Sequence, residues 1–196
     1  MNKFFLVLST LMMSVGLMAQ SSYKVDAAHS SVNFKVKHLG ITFVSGKFEK
    51  FDGGIIGDVN NMEQATVFFN VETASINTGV EARDKHLRSA DFFDVEKFTA
   101  MSFESTSIEK VDNENYKLNG ILQIKDASKP VTFDVKYGGA VKDRNGIETI
   151  GFIAKNTINR FDFNVSYDPE LTSIGKDVSI TLYLEFKNAA DKPAQQ

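Results

Sequence analysis

The chain has 196 residues, a formal net charge of −3, 17 phenylalanines, and neither cysteine nor tryptophan. The lack of cysteine excludes a disulfide and a lipid-modified cysteine anchor. The slight acidic excess argues against nucleic acid as a partner, because there is no surplus of basic groups to displace phosphate counterions.

Residues 1–19 have the features of a secretory signal peptide. Lys3 precedes a short apolar run that ends at a small residue, Ala19, and no stop-transfer charges follow. Cleavage after Ala19 leaves 177 residues, which is enough for one domain with its own core. We therefore predict a periplasmic or secreted protein with one domain over 20–188 and a flexible polar tail over 189–196.

Beyond the signal peptide, apolar and polar residues alternate along most of the chain. The runs with this alternation cover 30–38, 116–124, 131–137 and 178–186, with further candidates at roughly 43–51, 65–72, 100–109 and 147–157. A period of two is typical of sheets with one apolar face and one wet face. Eight strands in hairpin order predict an all-β fold, an eight-stranded antiparallel barrel without unpaired edges. A two-sheet sandwich is the alternative.

One stretch, RDKHLRSADFFD at 83–94, interrupts the alternation with six charges and a histidine. Residues 79–95 are predicted to form one or two short helices across a barrel opening. Thr78 is the expected N-cap, with Glu81 completing a capping box. The side chains expected to face inward are Leu87, Phe92 and Phe93.

The same stretch contains groups that could act in catalysis. However, Asp84 and His86 are two residues apart and so fall on different faces of a helix, which makes them a poor acid–base pair. Charge pairing of Arg83, Asp84 and Arg88 with each other and with the barrel rim is the simpler interpretation. A structural lid is therefore favoured over a head-group contact, and catalysis is the least favoured role.

The interior of the predicted barrel is the main open question. An eight-stranded barrel is near the size at which the interior either fills with side chains or holds one small ligand. Fifteen phenylalanines remain after signal cleavage, and these rings could line a ligand cavity or fill a solid core. Periodicity alone leaves both interpretations open.

Four motifs extend over the mature chain: YKVDAAHSSVNFKVKHLGITFVSGKFEKFDGGI at 23–55, TGVEARDKHLRSADFFDVEKF at 78–98, NRFDF at 159–163 and GKDVSI at 175–180. Together they resemble the YceI-like family of exported polyisoprenoid-binding proteins. The resemblance implies a lipocalin-like barrel, open at one end, whose apolar cavity takes the tail of an isoprenoid lipid or quinone. It implies no enzymatic activity.

Two positions depart from the family pattern. Asn164 stands where glycine is usual, and Ala127-Ser128 stands where a Gly-[IV]-[ST] turn is common. Asparagine tolerates a left-handed backbone better than most residues, so the first departure is expected to be mild. Both leave the fold unaffected and concern local loops.

Two sets of residues follow as candidate ligand contacts. The side chains predicted to contact the lipid tail are Val32, Phe34, Val36, Phe48, Val67, Phe69, Phe103, Leu118, Leu122, Phe133, Phe152, Phe163 and Ile180. The side chains predicted to contact the head group are His29, His38, Arg83, His86 and Arg160. Some of the inward-facing residues must instead pack the closed end of the barrel.

Simpler roles compete for the polar candidates. Arg160 is also expected to pair with Asp162 or Asp84. Asp26 and the three histidines could supply metal ligands, but their spacing matches no metal signature, so we predict neither a metal nor a cofactor. Ordinary hydrogen-bonded histidines at strand ends are the favoured alternative.

The predicted function is therefore non-enzymatic binding of an isoprenoid lipid or quinone for transport or storage in the periplasm. The alternatives are a protein-binding or stress-protective barrel without a ligand and, less favoured, a hydrolase or isomerase that uses the histidines. Transient membrane contact and a homodimer, paired through an edge strand such as 147–157, are left open. The sequence does not identify the lipid or its chain length.

Overall fold

The computed structural model describes residues 22–144 and 146–189. The predicted signal peptide at 1–19 and, apart from Ala189, the predicted tail at 189–196 lie outside the described residues. Both therefore stay predictions. Within the described ranges, no helix combines the length and the hydrophobicity needed to cross a membrane.

The regular structure of the described residues is almost entirely β. The strand segments are β1 (Ser22–Val25), β2 (Ser31–His38), β3 (Thr42–Phe48), β4 (Phe51–Ile56), β5 (Thr66–Glu72), β6 (Ile76–Asn77), β7 (Ala100–Lys110), β8 (Asn115–Ile124), β9 (Ala127–Lys142), β10 (Glu148–Asn159) and β11 (Ile174–Asn188). The α-helix is α1 (Glu81–Arg88), and short 3-10 turns cover Val59–Gln64, Thr73–Ser75 and Arg160–Phe163.

These segments form a closed, eight-stranded antiparallel barrel. Three barrel strands are interrupted and consist of β1 with β2, β3 with β4, and β5 with β6. Each barrel strand pairs with the next along the chain, and β11 returns to pair with both β1 and β2. The predicted barrel is thus confirmed and the sandwich alternative is wrong.

Closure also removes the edge that was considered for dimer formation. The predicted edge strand at 147–157 corresponds to β10, which is hydrogen-bonded to β9 on one side and to β11 on the other. Because neither side of β10 is free, two barrels cannot pair through it. That route to a homodimer is wrong, and a homodimer through any other surface stays a prediction.

The up-and-down order sorts the connections into two ends of the barrel. One end, called the open end below, carries the β2–β3 turn at 39–41, the segment 78–99 with α1, the turn at 125–126 and the loop 160–173. The other end, called the base, carries the connections 57–65, 111–114 and 143–147. Both ends of the described chain also lie at the base, where Tyr23 is opposite Asn188.

The base is packed with large side chains. Ile55, Ile150 and Phe186 are essentially inaccessible to solvent there, and Met62 of the 57–65 connection is buried against them. The interior at this end is a conventional close-packed core.

Candidate functional site

A large cavity occupies the upper part of the barrel and opens at the end that carries α1. Its volume is about 660 Å³, within the range of roughly 300–1,000 Å³ that is usual for small-molecule sites. A separate void of about 50 Å³ lies towards the base, beside Met62 and Ile108. The barrel interior is therefore hollow above and filled below.

The cavity wall is built from the inward faces of the strands. Twelve of the thirteen side chains predicted to contact a lipid tail line it: Val32, Phe34, Val36, Phe48, Val67, Phe69, Phe103, Leu118, Leu122, Phe133, Phe163 and Ile180. Contact of these side chains with a lipid stays a prediction, since the cavity is defined by protein atoms alone.

Phe152 is the exception among the thirteen. It points inward, but its ring packs between Tyr137 and Phe186, with centroid distances of 5.4 and 6.1 Å. It lines the small void near the base and not the main cavity. The alternation gave its face correctly and could not give its depth along the barrel.

Several lining residues were missed at the sequence level. They include Val71, Met101, Ile124 and Leu182. Each lies two positions from a predicted lining residue on the same strand, so a stricter use of the period of two would have found them.

Exposure along β11 shows where the hollow ends. Val178, Ile180 and Leu182 are only half-buried although they face inward, whereas Leu184 and Phe186 are buried. The first three border the empty part of the cavity, and the last two also border the small void near the base. One strand therefore passes from cavity wall to solid core.

The segment with α1 forms part of the cavity mouth. Leu87, Phe92 and Phe93 line the cavity as expected. Residues after α1 form turns, so the described segment contains one α-helix and not two. A structural lid is thus consistent with the position of the segment.

The start of α1 differs from the predicted capping box. Val80 occupies the N-cap position without a side-chain cap. Thr78 instead donates its backbone N–H to Asp84 Oδ1 at 2.9 Å, and its hydroxyl donates to the same oxygen. Arg83 Nε donates to Thr78 Oγ1 at 2.7 Å. The buried Asp84 carboxylate, in the first turn of α1, therefore fixes the helix to Thr78 of the preceding segment.

Arg88 ties the same helix to the barrel wall. Its Nε donates to the carbonyl of Ala74 at 2.8 Å and its Nη2 to that of Ile76 at 2.7 Å. Thr73 adds a hydrogen bond to the carbonyl of Phe98. The lid segment is thereby held at both of its ends.

Three of the five head-group candidates lie at the mouth. His38, Arg83 and His86 all line the cavity. His86 is hydrogen-bonded through Nε2 to Asp91 at 3.0 Å, and its ring contacts the edge or face of Phe92 and Tyr167 at centroid distances of 5.0 and 4.9 Å. Contact of these three side chains with a ligand head group stays a prediction.

Arg160 also lines the cavity, but its guanidinium is committed to the protein. It is 4% exposed and donates hydrogen bonds to the carbonyls of Gly175, Val165, Tyr167, Asp168 and Ile174 at 2.5–3.2 Å. The expected pairing with Asp162 or Asp84 is wrong. Burial lowers the pKa of Arg160 from its ordinary value, and the five acceptors hold the loop 160–173 against β11.

The departure at Asn164 lies in the same loop. Asn164 has φ 58° and ψ 24°, the left-handed conformation expected for it. Its Nδ2 donates to Asp126 Oδ1 at 2.8 Å. The asparagine thus adopts the backbone that glycine would adopt and adds a contact between two loops of the open end.

His29 lies away from the cavity, so its predicted head-group role is not supported by its position. It is exposed on the outer face between β1 and β2, with Nδ1 2.8 Å from Asp26 Oδ2. Lys187 Nζ is 2.6 Å from the same oxygen. Hydrogen bonds from Lys187 and His29 lower the pKa of Asp26 to about 2.

The histidines consequently do not share one site, which the hydrolase or isomerase alternative required. Within the described residues, the only group with metal-ligand geometry is Asp26, His29 and Glu185. The Lys187 ammonium already neutralises Asp26 there. The cluster is therefore explained as an ion-pair network on the outer face.

The charge of the mouth is opposite in sign to that of the whole chain. The basic residues that line the cavity are Lys37, His38, Arg83, His86 and Arg160, and no described carboxylate lines it. The formal net charge of the chain is −3. The mouth therefore offers hydrogen-bond donors and positive charge to whatever lies in the opening.

Comparisons with known proteins agree with this architecture. A family model described as a YceI-like domain matches residues 23–186. A UPF0312 protein of Pseudomonas putida is 36% identical over 179 residues, which cover 90% of this chain and 93% of the relative. The chain thus matches over nearly its whole length.

Two solved structures also match this chain over most of its length. A YCEI protein of Campylobacter jejuni is 28% identical, with a TM-score of 0.69, covering 95% of this chain and 98% of that one. A polyisoprenoid binding domain from Saccharophagus degradans is 13% identical, with a TM-score of 0.65, covering 85% and 98%. The second likeness concerns the fold alone.

Proposed function

The chain belongs to the YceI-like family, and on that premise we propose that it binds an isoprenoid lipid or isoprenoid quinone in the barrel cavity without catalysing a reaction. The observation that carries this proposal is the apolar cavity of about 660 Å³ with its basic mouth. The fold is shared with a domain described as polyisoprenoid binding, which supports the choice of ligand class.

The dimensions of the cavity favour a tail of limited length. The side chains of β11 that border the main cavity and not the small void near the base run from Ile174 to Leu182. At about 3.3 Å per residue and a tilt of 35–45°, this stretch corresponds to a depth of roughly 20 Å. An isoprene unit adds four chain carbons, or roughly 5 Å when extended. The cavity therefore accommodates about four extended units, and a longer tail has to fold back or protrude.

Selectivity must come from the mouth. Removing a methylene group from water is worth about 0.8 kcal/mol, but a lipid tail already lies in a bilayer, so its transfer into an apolar barrel is nearly neutral. Contacts with the head group then decide which lipid binds. His38, Arg83 and His86 offer donors, which favours a head group with acceptor oxygens, such as quinone carbonyls.

The cellular part of the proposal is transport or storage in the periplasm after cleavage of the signal peptide. A barrel that serves as a protein-binding or stress-protective factor without a ligand is less well supported. That alternative requires a filled interior, and a volume of about 660 Å³ leaves the upper barrel empty.

The test is direct analysis of the bound material. Protein purified without detergent from the exporting cell should yield an isoprenoid or quinone in an organic extract, near one molecule per chain, as measured by mass spectrometry. Delipidated protein should then rebind a quinone with four isoprene units. Extracts that contain no isoprenoid, together with failure to rebind the quinone, would refute the proposal.

A further inference from the structure

The open end of the barrel carries a cluster of exposed apolar side chains. Leu39, Ile41 and Phe43, at the tip of the β2–β3 hairpin, are 55%, 84% and 57% exposed. Val80, Tyr167 and Leu171 are also exposed, on the other connections of the open end. Isolated exposed apolar residues are normal, whereas a group around one opening marks an interaction surface.

The hairpin tip is held in this exposed arrangement. Leu39 has φ +50° and Gly40 φ +73°, so a leucine adopts the left-handed conformation that disfavours most side chains. The Leu39 N–H donates to the carbonyl of Ser173 at 2.8 Å, which fixes the turn to the neighbouring loop. Strain of this kind persists where the surroundings enforce it, and it is common at functional sites.

The charge of the hairpin is basic throughout. No acidic residue occurs between Asp26 and Glu49. The basic residues in this stretch are Lys35, Lys37, Lys47, His29 and His38. Lys35 Nζ lies 5.3 Å from the ring centre of Phe43, so the cation and the exposed ring form one surface. Within the described ranges, Lys37 makes no ion pair with a carboxylate.

We propose that the tip of this hairpin, Leu39–Phe43, docks onto an anionic phospholipid bilayer and brings the mouth of the cavity against the membrane. Apolar side chains flanked by lysines are suited to the interface between acyl chains and anionic head groups. Lys37 and His38 of the same hairpin also line the cavity. The docking surface is thus continuous with the entrance to the barrel.

The purpose of this docking rests on the proposed function, because an apolar tail can then pass between bilayer and cavity without crossing water. The physical contact itself depends only on the hairpin. The bilayer fits better than a second copy of the chain, because two copies of this basic hairpin placed tip to tip would repel each other.

The absence of tryptophan allows a direct test of insertion. A Phe43→Trp variant should show a blue-shifted emission with vesicles of phosphatidylglycerol and phosphatidylethanolamine, and brominated acyl chains should quench it. The matched control is Val141→Trp, an exposed position at the base, whose emission should not respond. No response at position 43 would overturn the proposal.

Co-sedimentation with the same vesicles measures the energetic contribution of the tip. Ile41→Asp with Phe43→Asp should lower partitioning at least about tenfold, because two side chains can no longer enter the apolar region. Val111→Asp with Val141→Asp, at the base, should leave it unchanged. Lys35→Gln and Lys37→Gln should each lower it about fivefold at low salt. Equal binding of all variants would overturn the proposal.

Two further outcomes separate this proposal from others. If the Ile41 and Phe43 changes convert a dimer into a monomer and the unaltered protein ignores vesicles, the tip is an interface between copies and docking is wrong. If the protein carries no isoprenoid but the hairpin inserts as described, the docking proposal stands and the proposed lipid cargo fails. If the protein retains isoprenoid but does not bind vesicles, the proposed lipid cargo stands and the docking proposal fails.

Discussion

The two ends of this barrel are built from the same strands with the same alternation, yet one end is solid and the other hollow. At the base, Phe152 and Phe186 are in edge-to-face contact, and the 57–65 connection covers them with Met62. At the open end, Val178 and Ile180 face an empty space. Alternation therefore determines which side chains point inward, and the connections determine whether the space between them is filled.

This difference implies that core substitutions should have unequal costs at the two ends. Phe186→Ala at the base removes a ring that is 2% exposed and should lower the free energy of unfolding by about 4 kcal/mol. Ile180→Ala should cost only about 1 kcal/mol, because that side chain already borders empty space. Urea denaturation of both variants measures the contrast, and equal costs would show that the cavity collapses in solution.

The second largest loss of stability is expected from a substitution in the loop 160–173 at the open end. Arg160→Met leaves five backbone carbonyls without their donor and should lower stability by about 3 kcal/mol. Lys155→Met changes an exposed residue of β10 and should alter it by less than about 0.5 kcal/mol. If the two variants unfold at the same urea concentration, the loop does not depend on Arg160.

Filling the hollow should affect binding more than stability. Ile180→Trp places a large ring into the cavity and should reduce the bound isoprenoid at least about tenfold, equivalent to about 1.4 kcal/mol. Tyr183→Trp, on the outer face of the same strand, is the matched control. Mass spectrometry of extracts from both variants gives the ratio, and an unchanged lipid content in the first would place the ligand elsewhere.

The smallest effect is expected on the outer surface near the base. The pKa of Asp26 is about 2 in the folded protein against an ordinary 3.8. The contribution of Asp26 to the free energy of unfolding is therefore complete above about pH 4 and is lost as the pH falls towards 2. Asp26→Asn should cost about 1 kcal/mol at pH 7 after allowance for solvent screening, and nothing near pH 2.

The control for Asp26 is Asp52→Asn. Asp52 pairs with Lys24 at 3.5 Å, but both side chains are exposed, so the change should cost well below about 1 kcal/mol. A pH-independent cost for Asp26→Asn would mean that the substitution acts through packing and not through charge.

The sequence predicted the strands and most of the cavity wall because both follow from a period of two. It also predicted the lid segment and its inward residues, since Leu87, Phe92 and Phe93 are apolar in an otherwise charged stretch. The sequence did not predict the orientation of side chains whose position depends on contacts between distant parts of the chain. His29 is turned outward by the break between β1 and β2, and such a break leaves no periodic signal.

The two polar networks of the open end were beyond sequence reasoning for a related reason. Arg160 was expected to seek a carboxylate, but its partners are carbonyls that meet only when the loop folds against β11. Asp84 was expected to pair with Arg83, Arg88 or the barrel rim, but its buried carboxylate accepts hydrogen bonds from the backbone N–H and the hydroxyl of Thr78. Backbone groups take part in both networks, and backbone groups are the same at every position of the sequence.

The guanidinium of Arg160 holds the loop 160–173 to β11 through backbone carbonyls. This arrangement affects how the open end responds to pH and to salt. Carbonyl groups do not titrate, and a guanidinium stays protonated across the biological range. Dissolved ions have little access to so enclosed an array. The hydrogen bonds of Arg160 should consequently persist at acidic pH and at high ionic strength, where an ion pair such as Asp26–Lys187 would weaken.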